Sequence, residues 1–270
     1  MNIREGLKAI CPPVIWTSAR KVFGTRGLYF DGDYSSWQEA LDAAGGYDDP
    51  AILERVREAG FKVKRGEAVF ERDSVCFYHE EYRWPPLACL LQIAARHDGI
   101  LRVLDFGGSL GSFYIQHRKF FDCLKAVRWA VVEQPHYAVC GRKNFANERL
   151  EFYDSIDDCI IAGHVDVIFC SSVLQYLPAP YSILNRFSQV AANYLLIDRT
   201  PFIQDKKDRL TVQTIDSWMS KLPAWFFSEE KFNTNIMKAG YTFHSNFLCN
   251  DNANILCKYK GVYLIKEGII

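Results

Sequence analysis

The sequence of 270 residues predicts an α/β fold built on a mostly parallel sheet of seven strands. Short apolar runs alternate with helical segments from about residue 100 onward, which is typical of a parallel sheet covered by helices on both faces. The five predicted parallel strands are LRVLDF (101–106), RWAVVE (128–133), LEFY (150–153), VDVIFC (165–170) and NYLLID (193–198). TFHSNFL (242–248) and KGVYLIK (260–266) follow a less regular region, and we expect them to form an antiparallel C-terminal strand pair.

The region before the sheet is predicted to be mainly helical. Ser36 and Glu39 have the spacing of a capping box at the start of one helix. Asp49-Pro50 opens a second helix, which Gly60 is expected to close. Pro85-Pro86 opens an apolar helix that should pack beside the sheet. We therefore divide the chain into a helical N-terminal cap region, residues 1–95, and a sheet domain, residues 96–270.

Composition excludes several classes of function. The chain carries 32 basic and 32 acidic residues, so it lacks the basic surplus of a general nucleic-acid binder. None of its nine cysteines forms a C-x-x-C pair, and His97, His117, His164 and His244 show no metal-ligand spacing, so we expect no metal site.

The N-terminus has no signal-peptide core, and no apolar run is long enough to span a membrane, so we expect a cytoplasmic protein. Residues 1–30 are basic. They are expected either to pack on the domain as a helix or to make peripheral contact with an anionic membrane surface.

A glycine-rich turn follows the first strand of the sheet. Asp105 ends the strand, Gly107, Gly108 and Gly111 follow with Ser109 between them, and a helix then begins. Glycines let the backbone approach a ligand closely, and the helix N-terminus offers unpaired N–H groups. The arrangement predicts a pocket for an anion or a nucleoside.

A second acid selects the cofactor. Glu133 ends the second strand, 22 residues beyond Gly111, where a carboxylate can accept hydrogen bonds from a ribose diol. A dinucleotide fingerprint would need glycine where Ser109 and Ser112 stand. The remaining D-x-G-x-x-x-G pattern resembles motif I of class I S-adenosylmethionine (SAM) methyltransferases. That resemblance implies a Rossmann-like fold and SAM as the cofactor.

The remaining candidates lie where the other strands end. After the fourth strand, Ser171, Ser172 and Val173 should border the cofactor, and Gln175 and Tyr176 should begin the acceptor side. The adenine contact is open between Asp154, Ser155 and the backbone of Ile156, because an acid at the position common in the family is missing. His136, close after Glu133, is expected near the adenosine end.

Two adjacent residues follow the fifth strand. Asp198 is a candidate general base and Arg199 a candidate ligand for an anionic acceptor, with an internal salt bridge as the alternative. His79 is the first candidate among the histidines, because the N-terminal region can close over the pocket.

Eight stretches together resemble one bacterial family of SAM-dependent methyltransferases associated with surface-polysaccharide (O-antigen or capsule) gene clusters. They are YDDPAILERV (47–56), GEAVFERDSV (66–75), VLDFGGSLGS (103–112), WAVVEQPHYAVCG (129–141), LEFYDSI (150–156), SSVLQYLPAP (171–180), IDRTPF (197–202) and DRLTVQ (208–213). The resemblance covers roughly residues 29–265, although DSWMSKLPAWFFS (216–228) departs from the family pattern. It implies a glycan acceptor, methylated on a sugar hydroxyl of a polysaccharide precursor.

Two other functions remain open. The first is a small-molecule or protein O- or N-methyltransferase, which a pocket lined by Trp218, Trp225 and Phe226 would favour. The second is a SAM-binding scaffold protein without catalysis, since the sequence contains no convincing acid–base pair.

Overall fold

The computed structural model describes residues 28–44, 50–215 and 220–268. The strands are β1 (Leu28–Asp31), β2 (Phe70–Arg72), β3 (Val75–Phe77), β4 (Ile100–Phe106), β5 (Ala126–Val132), β6 (Leu150–Tyr153), β7 (Val167–Ser171), β8 (Tyr194–Ile203), β9 (Arg209–Ile215), β10 (Ser220–Ser228), β11 (Tyr241–Leu248) and β12 (Lys258–Lys266). The helices are α1 (Trp37–Ala44), α2 (Pro50–Lys64), α3 (Trp84–Arg96), α4 (Ser112–Phe121), α5 (Pro135–Asn144), α6 (Ile156–Ala162), α7 (Pro180–Ser188) and α8 (Glu229–Lys238).

The predicted seven-stranded sheet is confirmed. Its strands lie in the order β6, β5, β4, β7, β8, β12, β11. The first five are parallel, whereas β12 runs antiparallel to both β8 and β11. The chain therefore has the predicted α/β, Rossmann-like fold of class I methyltransferases, and the carboxyl ends of the five parallel strands meet at one edge.

Helices bury both faces of this sheet. Along β8, Tyr194 and Leu196 belong to the hydrophobic cluster under α2 to α5, whereas Leu195 and Ile197 belong to the cluster under α6 to α8. All four side chains are at most 4% exposed. Because both faces are covered, the strands read as continuous apolar runs, which is why the sequence locates them.

A second, smaller sheet extends from the far end of β8. Strand β8 continues past the end of β7, and its last two residues, Phe202 and Ile203, pair in parallel with Phe227 and Ser228 of β10. β9 and β10 form an antiparallel hairpin, and β1 pairs antiparallel with β9. We call β1, β9 and β10 the side sheet. The sequence analysis predicted none of its strands, and the side sheet stands next to the carboxyl ends of the main sheet.

The N-terminal region contributes both helices and strands. Ser36 Oγ accepts a hydrogen bond from the Glu39 N–H at 3.2 Å, as the capping box predicts, and the Glu39 carboxylate reaches back to Ser35. β2 and β3 form a hairpin within the region that the sequence predicted to be mainly helical. Helix α3 buries Leu87 and Leu90 in the core of the main sheet. The division between residues 95 and 96 stays a prediction.

One predicted helix end is wrong. Helix α2 continues through Gly60 to Lys64. A Cβ atom at Gly60 would lie only 2.8 Å from the ring of Phe145, so glycine is needed there for close packing against that ring.

The predicted peripheral membrane contact of residues 1–30 falls almost wholly outside the described residues. Among the helices that the structure describes, none is long and apolar enough to cross a membrane.

Candidate functional site

A cleft with two compartments opens at the carboxyl ends of the parallel strands. The large compartment has a volume of about 840 Å³ and extends from the ends of β4 to β6 to the side sheet. The small compartment has a volume of about 120 Å³ and adjoins the glycine turn. Six residues line both, so the compartments are continuous: Arg72, Asp73, Gly107, Glu133, Ser172 and Arg199.

The glycine turn is packed closely on two sides. Gly107 has a φ of +70°, and a Cβ atom there would lie 2.5 Å from a methyl group of Val173. A Cβ atom at Gly108 would lie 2.4 Å from the carboxylate of Asp105. A side chain at either position would therefore displace a neighbour, so Gly107 and Gly108 present only backbone to the cleft.

Glu133 is attached to this turn. Its Oε1 accepts a hydrogen bond from the Ser109 N–H at 3.2 Å, and its Oε2 accepts one from the Gln134 N–H at 2.8 Å. Burial raises the pKa of the Glu133 carboxyl. The cofactor prediction depended on the glycine turn and on Glu133. The structure brings the two together, and both line the same cleft.

Asp105 lies beneath the turn. It is 2% exposed, and its Oδ2 accepts a hydrogen bond from Trp129 Nε1 at 2.8 Å. Burial raises the pKa of this carboxyl to about 7, and the negative charge of Glu133 adds to the rise. Asp105 therefore supports the turn from below and contributes to the wall of the small compartment.

The predicted adenine-side residues form one wall of the large compartment. Asp154 accepts a hydrogen bond from Arg142 at 2.9 Å. Ser155 Oγ accepts one from the Asp158 N–H at 3.0 Å and so caps helix α6. Asp157 lines the same wall and was missed, because no spacing rule singles it out.

The structure buries Asp198 away from the cleft. Its side chain is 0% exposed and lines neither compartment. Arg83 donates to its Oδ1 at 2.8 Å, and Ser171 Oγ donates to its Oδ2 at 3.0 Å. This geometry favours the internal salt bridge over the general base, with Arg83 in the place that the sequence analysis gave to Arg199.

Arg199 points to other partners and lines both compartments. Its Nε donates to Asp251 at 3.0 Å and its Nη2 to Asp73 at 3.2 Å. Its φ is +51°, and Asp73, Ser109 and Ser172, which also line the cleft, have φ values of 51°, 54° and 59°. Left-handed backbone at non-glycine residues is costly and clusters at functional sites, so it supports assigning the site to this cleft.

The acceptor-side candidates divide into two groups. Tyr176 lines the large compartment, and burial together with the charge of Asp73 raises the pKa of its phenol to about 12, so it stays protonated at neutral pH. Gln175 is buried, and its Nε2 donates to Ser172 Oγ at 3.1 Å and to the Arg199 carbonyl at 3.2 Å. His79, which is exposed, lines neither compartment, and neither does His136.

The far wall of the large compartment is apolar and comes from elements that the sequence analysis missed. It includes Val75 and Phe77 of the β2–β3 hairpin and Ile215 and Leu222 of the side sheet. Gln213 lies among them, 2% exposed, and its Oε1 has no hydrogen-bond partner among the described residues. The one available signal for Gln213 was its place in the DRLTVQ stretch of the family resemblance.

The tryptophan and phenylalanine residues considered for this wall lie elsewhere. Trp225 donates its Nε1–H to the Leu177 carbonyl at 3.0 Å, Phe226 packs on Phe30, and neither lines the cleft. Trp218 lies outside the described residues. Within residues 28–44, 50–215 and 220–268, no group of three or more His, Cys, Asp or Glu side chains is placed to hold a metal ion.

No protein-family model and no curated protein matches the sequence. The chain is similar in fold to a SAM-dependent methyltransferase from Clostridium acetobutylicum ATCC 824, with 10% identity over 67% of this chain and 90% of that one and a TM-score of 0.44. It is similar to the N-terminal domain of EvdMO1 in the presence of S-adenosylhomocysteine (SAH) and D-fucose, with 11% identity, 82% and 97% coverage and a TM-score of 0.47. It is also similar to magnesium protoporphyrin IX methyltransferase from Synechocystis PCC 6803 with bound SAM, with 10% identity, 99% and 98% coverage and a TM-score of 0.45. These similarities concern the fold alone.

The role of Asp198 is testable by Asp198→Asn. The substitution keeps the shape but leaves the Arg83 guanidinium without a buried counter-charge, so we expect stability to fall by on the order of 3 kcal/mol. Urea denaturation measures the loss, and Asp205→Asn, at an exposed loop position, is the matched control. A fully stable Asp198→Asn protein would contradict the structural role and leave the general base predicted from the sequence.

Proposed function

We propose that this protein is a SAM-dependent methyltransferase. The observation that carries the proposal is the hydrogen bond between Ser109 of the glycine turn and Glu133, which places a backbone turn and a carboxylate on one wall of a large cleft. SAM supplies a methyl group on an electrophilic sulfonium. The protein's part is to hold the cofactor and to place an acceptor atom in line with that group.

The residues present fit this cofactor. Backbone at Gly107 and Gly108 offers a close approach that a side chain would block. Glu133, already oriented by two backbone N–H groups, can accept hydrogen bonds from ribose hydroxyls. The volume of the large compartment, about 840 Å³, suits a small-molecule site.

Positioning is expected to contribute more than proton transfer. Asp198 is enclosed by Arg83 and Ser171, so its carboxylate has no access to the cleft. Arg199 and Tyr176 remain as polar groups at the compartment walls, suited to orienting an acceptor by donated hydrogen bonds. His79 stays a prediction from the sequence.

Two acceptor classes follow from different arguments. A sugar hydroxyl of a surface-polysaccharide precursor is supported by the resemblance of the eight sequence stretches. A small, largely apolar molecule carrying a hydroxyl or N–H group is favoured by the apolar wall and by Gln213, whose buried Oε1 needs a donor. A scaffold protein without catalysis would bind SAM and methylate neither class.

An acceptor screen distinguishes these classes. Nucleotide sugars and apolar phenols or amines are incubated separately with SAM, and mass spectrometry detects the gain of one methyl group. We expect the apolar class to react, and Gln213→Leu to raise KM for the reactive acceptor by about tenfold, since it removes a hydrogen bond. Gln38→Leu on the exposed face of α1 is the control. Methylation of nucleotide sugars alone would return the proposal to the glycan class.

Glu133→Ala tests the cofactor site. Because charge-assisted hydrogen bonds to the ribose are lost, we expect the affinity for SAH to fall by about tenfold or more in isothermal titration. The affinity for 5′-methylthioadenosine, which has the same ribose but no amino acid group, should fall equally. Glu148→Ala, at an exposed position that lines neither compartment, should bind both as the wild type does. An unchanged affinity in a folded Glu133→Ala protein would remove Glu133 from the site.

A further inference from the structure

We propose that Glu71 and Arg83, two residues of the N-terminal region, form the binding site for the α-amino acid group of the cofactor, with Glu71 binding its ammonium and Arg83 its carboxylate. The inference rests on the proposed use of SAM. It adds two residues of the N-terminal region to a cofactor site that the sequence analysis placed at the glycine turn and the strand ends.

The small compartment is the place for this group. The turn residues Gly107, Gly108 and Ser109 line it together with Glu71 and Arg83. It is continuous with the large compartment past Glu133, where the nucleoside is expected. With a volume of about 120 Å³, it suits a short polar group and is too small for a second nucleoside.

Glu71 is a buried carboxylate that lacks a counter-charge. It is 6% exposed, and its partners are the Ser112 hydroxyl, which donates to Oε1, and the Ser74 N–H, which donates to Oε2 at 3.3 Å. No Lys, Arg or His nitrogen of the described residues lies within 4.0 Å of it. Burial raises its pKa to about 7. A ligand ammonium would supply the missing positive charge and offset the cost of burial.

Arg83 has a donor to spare. Its Nη2 is held by Asp198 at 2.8 Å, and Nη1 lies 4.0 Å from Asp251. Its Nε–H is buried and has no hydrogen-bond partner among the described residues. A buried unpaired donor is costly, and a carboxylate oxygen is the acceptor that a guanidinium prefers. Glu71 therefore lacks a positively charged partner and Arg83 lacks an acceptor, and an amino acid zwitterion supplies both.

Helix α4, which begins directly after the glycine turn, holds both residues in place. Ser112 binds Glu71, and Gln116 Nε2 donates to the Glu81 carbonyl at 2.6 Å. His117 Nε2 accepts a hydrogen bond from the Arg83 N–H at 3.0 Å, while its Nδ1 faces the Phe113 carbonyl at 2.8 Å. Burial lowers the pKa of His117 to about 4, so the ring stays neutral and can accept. The site is thus preorganised by the same element that carries the turn.

Three ligands separate the two contacts by isothermal titration at pH 8. SAH has the whole amino acid group, S-adenosyl-3-thiopropylamine keeps the amine but lacks the carboxylate, and 5′-methylthioadenosine lacks both. Glu71→Gln keeps an acceptor for Ser112 but removes the charge. We expect it to lower the affinity for SAH and S-adenosyl-3-thiopropylamine by about tenfold or more and to leave the affinity for 5′-methylthioadenosine unchanged. Arg83→Lys keeps a cation for Asp198 and removes the Nε donor, so it should lower the affinity for SAH and leave the affinities for the other two ligands unchanged.

The control is Glu80→Gln, an exposed position in the same segment, which should bind all three ligands as the wild type does. Wild-type affinity of Glu71→Gln for SAH would overturn the inference while leaving the proposed function intact. Equal weakening of all three ligands would also overturn it, because it would indicate general damage to the cleft. If the wild-type protein binds neither SAH nor 5′-methylthioadenosine, the proposed function fails and the inference fails with it.

Discussion

The buried ion pair between Arg83 and Asp198 fixes how the N-terminal region meets the main sheet. Asp198 lies in the middle of strand β8, opposite Ser171 at the end of β7, and Arg83 precedes helix α3, 115 residues away in the sequence. Two charges taken out of water must be kept in good geometry, or the desolvation cost is not repaid. Ser171 at the end of β7 completes this geometry by donating to the second oxygen of Asp198. The ion pair therefore fixes the segment before α3 against the strand ends that form the cleft.

The Arg83–Asp198 ion pair gives the neighbouring residues Asp198 and Arg199 different roles. Asp198 is committed to structure, whereas Arg199, the next residue, turns outward with a left-handed backbone and pairs with Asp73 of the β2–β3 hairpin. Arg199 thereby holds the β2–β3 hairpin at the cleft, and Asp198 holds the segment after the hairpin through Arg83. Both compartments consequently combine strand ends of the sheet domain with side chains from the N-terminal region, so the binding site belongs to both parts of the chain.

The sequence was sufficient for the main sheet and for one wall of the site. The five parallel strands are buried on both faces, so each stands out as an apolar run, and the glycine turn and Glu133 are recognisable from local spacing. The side sheet was not predictable in the same way, because β1 pairs with a strand nearly two hundred positions away and its register depends on that partner. Glu71, Arg83 and Gln213 were missed because their significance comes from burial and from missing partners, which only the folded chain shows.

The electrostatics of the cleft indicate what it is built to hold. The side of the cleft next to the glycine turn carries three carboxyl groups whose pKa values are raised by burial, those of Glu71, Asp105 and Glu133, and the far wall is apolar. Such an arrangement suits a ligand that brings hydroxyl and ammonium donors to the carboxylates and leaves an apolar space for an acceptor. The most direct test is to titrate the wild-type protein with SAH and with NAD in the calorimeter. We predict saturable binding of SAH and none of NAD, because Ser109 and Ser112 stand where a dinucleotide turn needs glycine. Binding of NAD without binding of SAH would contradict the assignment of this cleft to a methyl donor.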